Sequence, residues 1–179
     1  MQLNDFLEQS EQRAYQMALY ASKNPDDALD IVQEAMMTLA QKYADKPSQE
    51  WGPLFQRILQ SKIHDWYRRQ NVRHRWRGLL PFGNKENRDD NPNSNPIDNV
   101  AEPKNTKPDD SLSQSRAMAI LDEAVKNLPQ RQQQAFLLRN WEGLSVEDTA
   151  AAMGCSQGSV KTHYSRAVHS LRTQLEEHI

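Results

Sequence analysis

The segment that most constrains the fold of this chain runs from residue 145 to residue 161 and is typical of two helices joined by a tight turn. Ser145 is suited to cap the first helix, with Asp148 in the capping-box position three residues later. Gly154 comes where that helix has to end, because glycine adopts left-handed geometry without strain. Ser156 then caps a second helix. This order is that of a helix-turn-helix, whose second helix can enter the major groove of DNA.

The second helix of this segment has one apolar face and one face without negative charge. Its apolar side chains recur at spacings of three and four residues: Val160, Tyr164, Ala167, Val168, Leu171 and Leu175. No Asp or Glu occurs between Ser156 and Leu175. A solvated face usually mixes charges of both signs, whereas a face toward phosphates excludes negative charge. The pattern favours DNA binding over the alternative, a helical hairpin with a solvated polar face.

The charge of the chain is unevenly distributed, although the net charge of the 179 residues is only −2. Residues 1–50 contain four Lys or Arg and nine Asp or Glu, whereas residues 57–77 contain seven Lys or Arg and Asp65 as the single acid. An acidic stretch is therefore followed at once by a basic one. This order indicates that one surface faces a protein and the other a nucleic acid.

The spacing of apolar residues predicts an all-α protein with two small helical domains, residues 1–77 and residues 112–179. In the first domain we expect a helix break at Asn24–Asp27, a loop at Asp45–Glu50 and a third helix from about Pro53. Two apolar stripes are predicted to be buried. In the second helix the stripe is Leu29, Val32, Met36, Leu39 and Tyr43, and in the third it is Leu54, Phe55, Ile58, Leu59, Ile63 and Trp66.

The segment between the two domains, residues 78–111, is rich in proline and polar residues and poor in apolar ones. Such a composition cannot bury enough surface to offset the entropy of ordering, so we expect a flexible linker. Its one apolar cluster is Leu79–Phe82. Helical patterning resumes near Leu112, and a buried stripe is predicted at Met118, Leu121, Val125 and Leu128.

The sequence contains no recognisable catalytic constellation. Its five histidines do not form a His-Glu-x-x-His pattern, its one cysteine excludes a disulfide framework, and no glycine-rich phosphate loop is present. We therefore expect a protein that is not an enzyme and that needs no cofactor and no metal. The beginning of the chain lacks the pattern of a signal peptide, and no stretch is apolar enough to span a bilayer. A cytoplasmic location without membrane insertion is the expectation.

Aromatic residues interleave with arginines between Arg57 and Arg77. Arginine binds phosphate, and aromatic rings stack on unpaired bases. Trp66 falls on the apolar stripe, which favours a place in the core. Tyr67 stands beside two arginines, which favours contact with opened DNA.

Several motifs of the chain resemble bacterial sigma factors of the extracytoplasmic-function type. Asp30-x-x-Gln33-Glu34 is similar to the segment of region two that docks on the polymerase, and Arg57-Ile58 followed by Asp65–Arg69 is similar to the helix for promoter melting and −10 recognition. Leu128–Ser145 resembles the opening of region four, and Gly158–Ala167 resembles its recognition helix. The resemblance covers nearly the whole chain except the linker.

The resemblance implies a role for three groups of residues. The residues implied to dock on the clamp helices of core RNA polymerase are Asp30, Gln33, Glu34 and Met37. Contact with the −10 element falls to Ser61, Lys62, Asp65, Arg68, Arg69 and Arg73, where Ser61 replaces the usual asparagine. Contact with the −35 element falls to Ser156, Gln157, Ser159, Lys161, Thr162, Ser165 and Arg166. Arg166 is the residue expected to read a guanine through a bidentate contact.

The implied partners are core RNA polymerase and promoter DNA, and an anti-sigma protein stays open as a third. The implied function is promoter-specific initiation of transcription. Two other hypotheses remain: a stand-alone regulator that uses only the helix-turn-helix, and a helical adaptor that binds no DNA. The acidic-to-basic order of residues 1–77 argues against the regulator.

Overall fold

The computed structural model describes residues 2–79 and 110–178, which form seven helices and no strands. The helices are α1 (Leu3–Ser22), α2 (Pro25–Tyr43), α3 (Ser48–Leu79), α4 (Asp110–Lys126), α5 (Gln130–Asn140), α6 (Val146–Met153) and α7 (Gln157–His178). The predicted all-α class is confirmed. Most of the predicted linker lies outside the described residues, as do residues 80–82 of its apolar cluster. The domain boundaries at residues 77 and 112 stay predictions.

The break between α1 and α2 arises from local chemistry that the sequence displays. The side chain of Asn24 accepts hydrogen bonds from the backbone N–H groups of Asp26 and Asp27 at 2.9 and 3.1 Å. Pro25 occupies the first helical position, where the N–H that proline lacks would have no partner within the helix. The predicted break at this place is confirmed.

The beginning of α3 differs from the prediction. The helix starts at Ser48, so the loop after α2 is shorter than Asp45–Glu50, and Pro53 lies inside the helix. The indole Nε1 of Trp51 donates to the Tyr43 carbonyl at 3.2 Å, and its ring is buried. Burying a tryptophan stabilises this extra turn and offsets the backbone hydrogen bond that proline cannot make.

The core of the first three helices is filled by large apolar side chains and by alanines. Met17, Leu39, Phe55, Leu59 and Ile63 are almost fully buried. The prediction for the α2 stripe is wrong at one position. Leu29 is 45% exposed, whereas the buried positions of α2 are Ala28, Ile31, Val32, Ala35 and Leu39. The small alanines face the neighbouring helices there, and a pattern drawn only through large side chains misses them.

The remaining four helices share a second group of buried side chains. Val125, Leu138, Val160 and Leu171 are 5% exposed or less, so the α7 stripe is buried as predicted at Val160 and Leu171. The prediction for Met118 is wrong, because its side chain is 64% exposed. The stripe of α4 begins to pack against the core one turn later, at Leu121.

The two groups of helices pack against each other through a contact that we call the seam. It joins α1 to α4 and α3 to α6, and side-chain hydrogen bonds join α1 and α3 to α5. Gln134 Nε2 donates to Gln60 Oε1 at 3.0 Å, and Gln133 Nε2 donates to the carbonyls of Tyr20 at 3.4 Å and Val125 at 3.0 Å. All three glutamine side chains are buried. Buried amides that find partners across a contact fix its register, because an unpaired one is costly.

One edge of the seam is closed by Tyr20. Its hydroxyl donates to Asp122 Oδ1 at 2.5 Å, and its ring lies 5.7 Å from that of Trp141. Burial and the neighbouring carboxylate raise the pKa of Tyr20. Burial opposes ionisation of Asp122 as well, but hydrogen bonds from Lys126 and Tyr20 outweigh it and lower the pKa of the carboxyl. The phenol therefore donates to an ionised carboxylate.

The seam also contains Glu142, which follows Trp141 after the end of α5. Its Oε1 atom is buried without a hydrogen-bond partner among the described residues. Burial raises the pKa of Glu142, and the charge of Arg13 and a hydrogen bond with Gln56 offset this effect only in part. The seam thus encloses a carboxyl group that ionises less readily than it would in water.

Candidate nucleic-acid interface

Helices α6 and α7 form the predicted helix-turn-helix. Ser145 Oγ accepts from the Asp148 N–H at 3.0 Å, and Gly154 ends α6 at a φ of 63° with its N–H bound to the Ala150 carbonyl. One detail of the cap differs from the prediction. The Asp148 carboxylate accepts from the Ser145 hydroxyl at 2.8 Å rather than from the Ser145 backbone, as a capping box would require.

Helix α7 presents a polar face to solvent, and α5 supports it from behind. The Tyr164 ring stacks on Phe136 at 6.5 Å, and its hydroxyl donates to Asn140 Oδ1 at 3.3 Å. Six of the seven residues predicted for the −35 element are exposed. Ser156 precedes the helix, and the other five lie along one side of it: Gln157, Lys161, Thr162, Ser165 and Arg166. Among the described residues, neither Lys161 nor Arg166 forms an ion pair. Both cations are free to meet phosphate or a base edge.

The hydroxyl groups of this predicted set also make structural bonds. Ser156 Oγ accepts from the Ser159 N–H at 3.1 Å and lies 2.9 Å from the Ser159 hydroxyl, which caps the start of α7. Thr162 Oγ1 donates to the Gly158 carbonyl at 3.1 Å. These contacts hold the first turns of the helix, whereas the side chains of Lys161 and Arg166 extend from it.

Five of the six residues predicted for the −10 element come together in one shallow groove along α3, which we call the arginine groove. They are Lys62, Asp65, Arg68, Arg69 and Arg73, with Glu34 of α2 at the rim. The single acid of the set is paired within the helix, since Asp65 Oδ1 lies 3.9 Å from Arg68 Nη1. The arginines are exposed, so the groove presents positive charge.

Ser61, the sixth residue, lies on another side of α3. It lines a polar cleft of about 390 Å3 at the seam, together with Arg57 and His64 of the same helix and with Arg131 and Gly154 of the other group. Arg131 is held there by a hydrogen bond from Nη1 to the Met153 carbonyl at 2.8 Å. In this closed arrangement Ser61 faces the turn of the helix-turn-helix rather than the arginine groove.

The four residues predicted to dock on the polymerase lie on the exposed side of α2: Asp30, Gln33, Glu34 and Met37. Met37 is 58% exposed, which is unusual for a large apolar side chain on an otherwise polar face. This acidic face borders the arginine groove directly. Glu34 forms an ion pair with Lys62, with 3.3 Å between Oε2 and Nζ. Asp30 and Glu34 also line a second groove together with Arg69 and Arg73.

This adjacency of the two predicted surfaces is a feature that sequence reasoning missed. Glu34 and Lys62 are far apart in the chain, and only the packing of α2 on α3 brings them together. Opposite charges on separate helices give no signal in the sequence that they pair, because many such combinations are possible.

The three aromatic residues of α3 between Arg57 and Arg77 divide into two that are packed and one that is exposed. The Tyr67 hydroxyl donates to the Ala21 carbonyl at 2.9 Å, and burial raises the pKa of this group. Trp66 packs edge-on against Tyr67 at 5.1 Å and contacts the core, as predicted. The prediction that Tyr67 meets opened DNA is wrong, since its polar end is used to join α3 to α1. Trp76, by contrast, is 65% exposed.

Comparison with known proteins shows which proteins the chain resembles. Residues 118–171 match the protein family described as Sigma-70, region 4. The RNA polymerase sigma-E factor of Streptomyces antibioticus is 44% identical over 68 residues, which are 38% of this chain and 38% of that protein. The ECF RNA polymerase sigma factor SigE of Mycolicibacterium smegmatis is 28% identical over 178 residues, 98% of this chain and 62% of that protein. Over these lengths the chain is similar to sigma factors of the ECF type.

The fold of the chain agrees with a solved structure. The sigma factor RpoE of Bartonella quintana, in complex with the anti-sigma factor NepR, superposes with a TM-score of 0.61 at 24% identity and covers 96% of this chain and 97% of that one. The alignments span 38% of the length of the first curated relatives. Within the part of the chain that the structure describes, no helix is both long and apolar enough to cross a membrane.

Proposed function

We propose that this chain is an ECF sigma factor, which binds core RNA polymerase and directs it to promoters by contacting DNA at two places. The observation that carries the proposal is the presence of two separate cationic faces in one chain, the arginine groove of α3 and the exposed side of α7. A stand-alone helix-turn-helix regulator needs only the second. A cationic face attracts DNA because it releases counterions from the phosphates.

In this proposal the two faces act on different forms of DNA. Lys161 and Arg166 of α7 contact duplex DNA in the major groove of the −35 element, with Arg166 on a guanine. The arginines of the α3 groove contact the −10 element, where the strands separate. Side chains on the rigid interior of a long helix hold their positions well, which favours selective contact.

The acidic face of α2 is the proposed contact with the polymerase. Asp30 and Glu34 supply negative charge beside the exposed apolar Met37, and this combination fits a protein partner better than it fits DNA. An anti-sigma protein is a further proposed partner, because the similar sigma factor RpoE has been solved with NepR bound. The proposed role consists of binding and requires no catalysis by this chain.

Run-off transcription with purified core polymerase tests the proposal. The double variant Asp30→Asn with Glu34→Gln removes the charge of the α2 face, and we expect at least about tenfold weaker binding to core polymerase, since a rim or interface charge pair contributes about 1–3 kcal/mol. Transcription at limiting protein concentration should fall in parallel.

The matched control is the double variant Glu8→Gln with Glu11→Gln, which removes two exposed carboxylates from α1. Its binding to core polymerase should equal that of the unmodified chain. Unchanged transcription by the α2 variant would refute the docking assignment. Specific duplex binding without polymerase, combined with no transcription, would favour the stand-alone regulator instead.

A further inference from the structure

The polar cleft at the seam, which we call the seam cleft, collects basic side chains from both groups of helices. Arg57 and His64 of α3 line one side, and Arg131 of α5 lines the other. Among the described residues, no Asp or Glu lines this cleft. Basic side chains that converge on one space without an acid between them create a positive potential there, which favours an anion.

The protein itself does not neutralise these charges. Within the described part of the chain, neither Arg57 nor His64 forms an ion pair or a side-chain hydrogen bond. Arg131 Nη1 donates to the Met153 carbonyl at 2.8 Å and to Gln134 Oε1 at 3.4 Å. These bonds fix the guanidinium group and leave its Nη2 and Nε atoms for another acceptor. The C-terminal end of α6 opposes an anion, but with only about half an elementary charge.

The shape of the seam cleft suits a small ligand better than a strand of nucleic acid. Its volume is about 390 Å3, which is within the range of small-molecule sites. Helix α3 bounds the cleft on one side, and the turn at Gly154 bounds it on the other. A strand needs a groove that tracks its backbone, as the arginine groove does along α3.

We propose that the seam cleft binds a small ligand that carries phosphate groups, with Arg57 and Arg131 as its main contacts. A guanidinium group fits a phosphate because it presents several N–H donors in one plane and keeps its charge at physiological pH. His64 supplies a further donor. Because Arg57 and Arg131 belong to different groups of helices, one ligand would bridge the seam.

A bridging ligand would stabilise the packed arrangement of the two groups, since a ligand favours the state in which its site is complete. Ser61, which is predicted to contact the −10 element, also lines the cleft. An occupied cleft would therefore keep Ser61 away from DNA. This consequence rests on the proposed function, whereas the binding of phosphate groups does not.

Isothermal titration calorimetry of the full chain with inorganic pyrophosphate tests the site, in a magnesium-free buffer of constant ionic strength. We expect saturable binding at one site per chain. Arg57→Gln should weaken this binding by about tenfold, because one charge-assisted contact with phosphate is lost. Since Arg57 has no side-chain partner among the described residues, the variant should keep its helix content by circular dichroism. Arg131→Gln should weaken the binding at least as much.

The matched control is Arg172→Gln, which removes an exposed arginine of α7 that does not line the cleft. Its affinity for pyrophosphate should equal that of the unmodified chain. If Arg172→Gln and Arg57→Gln lose the same affinity, the anion is attracted by overall charge and the proposal is overturned. An unmodified chain that shows no saturable binding would overturn it as well.

A second measurement separates a free phosphorylated ligand from the phosphates of nucleic acid. Pyrophosphate should raise the midpoint of urea unfolding of the unmodified chain, and it should raise that of Arg57→Gln by less, because a ligand of the folded state stabilises it by mass action. If pyrophosphate does not bind but an oligonucleotide binds and loses affinity in Arg57→Gln, Arg57 serves nucleic acid and the proposed site is refuted.

The same experiments keep this site distinct from the proposed function. If the unmodified chain drives transcription with core polymerase but does not bind pyrophosphate, the promoter role stands and the phosphate site fails. If no transcription occurs but pyrophosphate binding depends on Arg57 and Arg131, the phosphate site stands and the promoter role fails.

Discussion

Buried ionisable groups determine how single residues of this protein respond to pH, and Glu142 is the clearest case. Its pKa is raised above the ordinary value of 4.5 because the carboxyl is buried at the seam. The folded state then holds the proton more tightly than the unfolded state. The contribution of Glu142 to the free energy of unfolding is therefore largest below pH 4.5 and is lost as the pH rises through the folded-state pKa.

We predict that Glu142→Gln increases the free energy of unfolding at pH 7 and leaves it unchanged below pH 4.5, where the carboxyl is protonated in both states. The amide has the same shape and no charge to desolvate. Urea unfolding at a series of pH values measures the difference. Glu147→Gln, at an exposed position of α6, is the control and should show no such divergence. A variant less stable than the unmodified chain at pH 7 would mean that the Arg13 contact outweighs burial.

At the scale of the element, the helix-turn-helix could be predicted and the beginning of α3 could not. Ser145 and Gly154 act through bonds and backbone angles within a few residues, so their chemistry is visible in the sequence. The extra turn of α3 is stabilised by Trp51, whose indole reaches back to the Tyr43 carbonyl. Local rules that treat Pro53 as a helix start cannot include that tertiary contact.

Alanine substitutions at two glycines of the helix-turn-helix are predicted to change the free energy of unfolding in opposite directions. Gly154 has a φ of 63°, and a side chain there meets strain although no atom lies close, so Gly154→Ala should lower the free energy of unfolding by about 1–2 kcal/mol. Gly158 lies in the first turn of α7, where an added Cβ would meet only Ser156 Oγ at 3.8 Å. Gly158→Ala should stabilise the protein by up to about 1 kcal/mol. Denaturant unfolding of the two variants checks both signs, and a neutral Gly154→Ala would contradict the argument.

At the scale of the whole molecule, the seam was beyond sequence reasoning. The sequence indicates two helical groups, but the bonds that join them connect residues far apart in the chain, such as Gln60 with Gln134 and Tyr20 with Gln133. The side chains of Gln60, Gln133 and Gln134 are buried where the two groups meet, and no pattern within either group indicates this. The exposure of the candidate binding residues, by contrast, could be predicted from the sequence, because charged residues on the surface follow helix periodicity directly.

The polar character of the seam gives a prediction about shape. Contacts between domains that rely on hydrogen bonds resemble transient interfaces, so breaking a few bonds should separate the two groups. We expect the double variant Tyr20→Phe with Gln60→Ala to have a larger radius of gyration in small-angle X-ray scattering, with unchanged helix content by circular dichroism. It loses the bonds to Asp122 and Gln134, each worth about 1–3 kcal/mol when the partner stays buried.

The control for this variant is Tyr67→Phe. It removes a comparable tyrosine hydrogen bond, the one to the Ala21 carbonyl, but within the first group of helices. It should lower the free energy of unfolding without enlarging the molecule. Equal radii for the seam variant and the unmodified chain would show that apolar contacts alone hold the two groups together.

The ion pair between Glu34 and Lys62 has a consequence for the proposed partners. Because Glu34 belongs to the side proposed to face the polymerase and Lys62 to the side proposed to face DNA, each partner would have to separate the same pair. Whichever binds first leaves the other side chain unengaged for the second, so the two binding events become cooperative. Thermodynamic reciprocity requires each partner to tighten the other by the same factor. For a partly exposed pair that factor is at most about fivefold, set by roughly 1 kcal/mol.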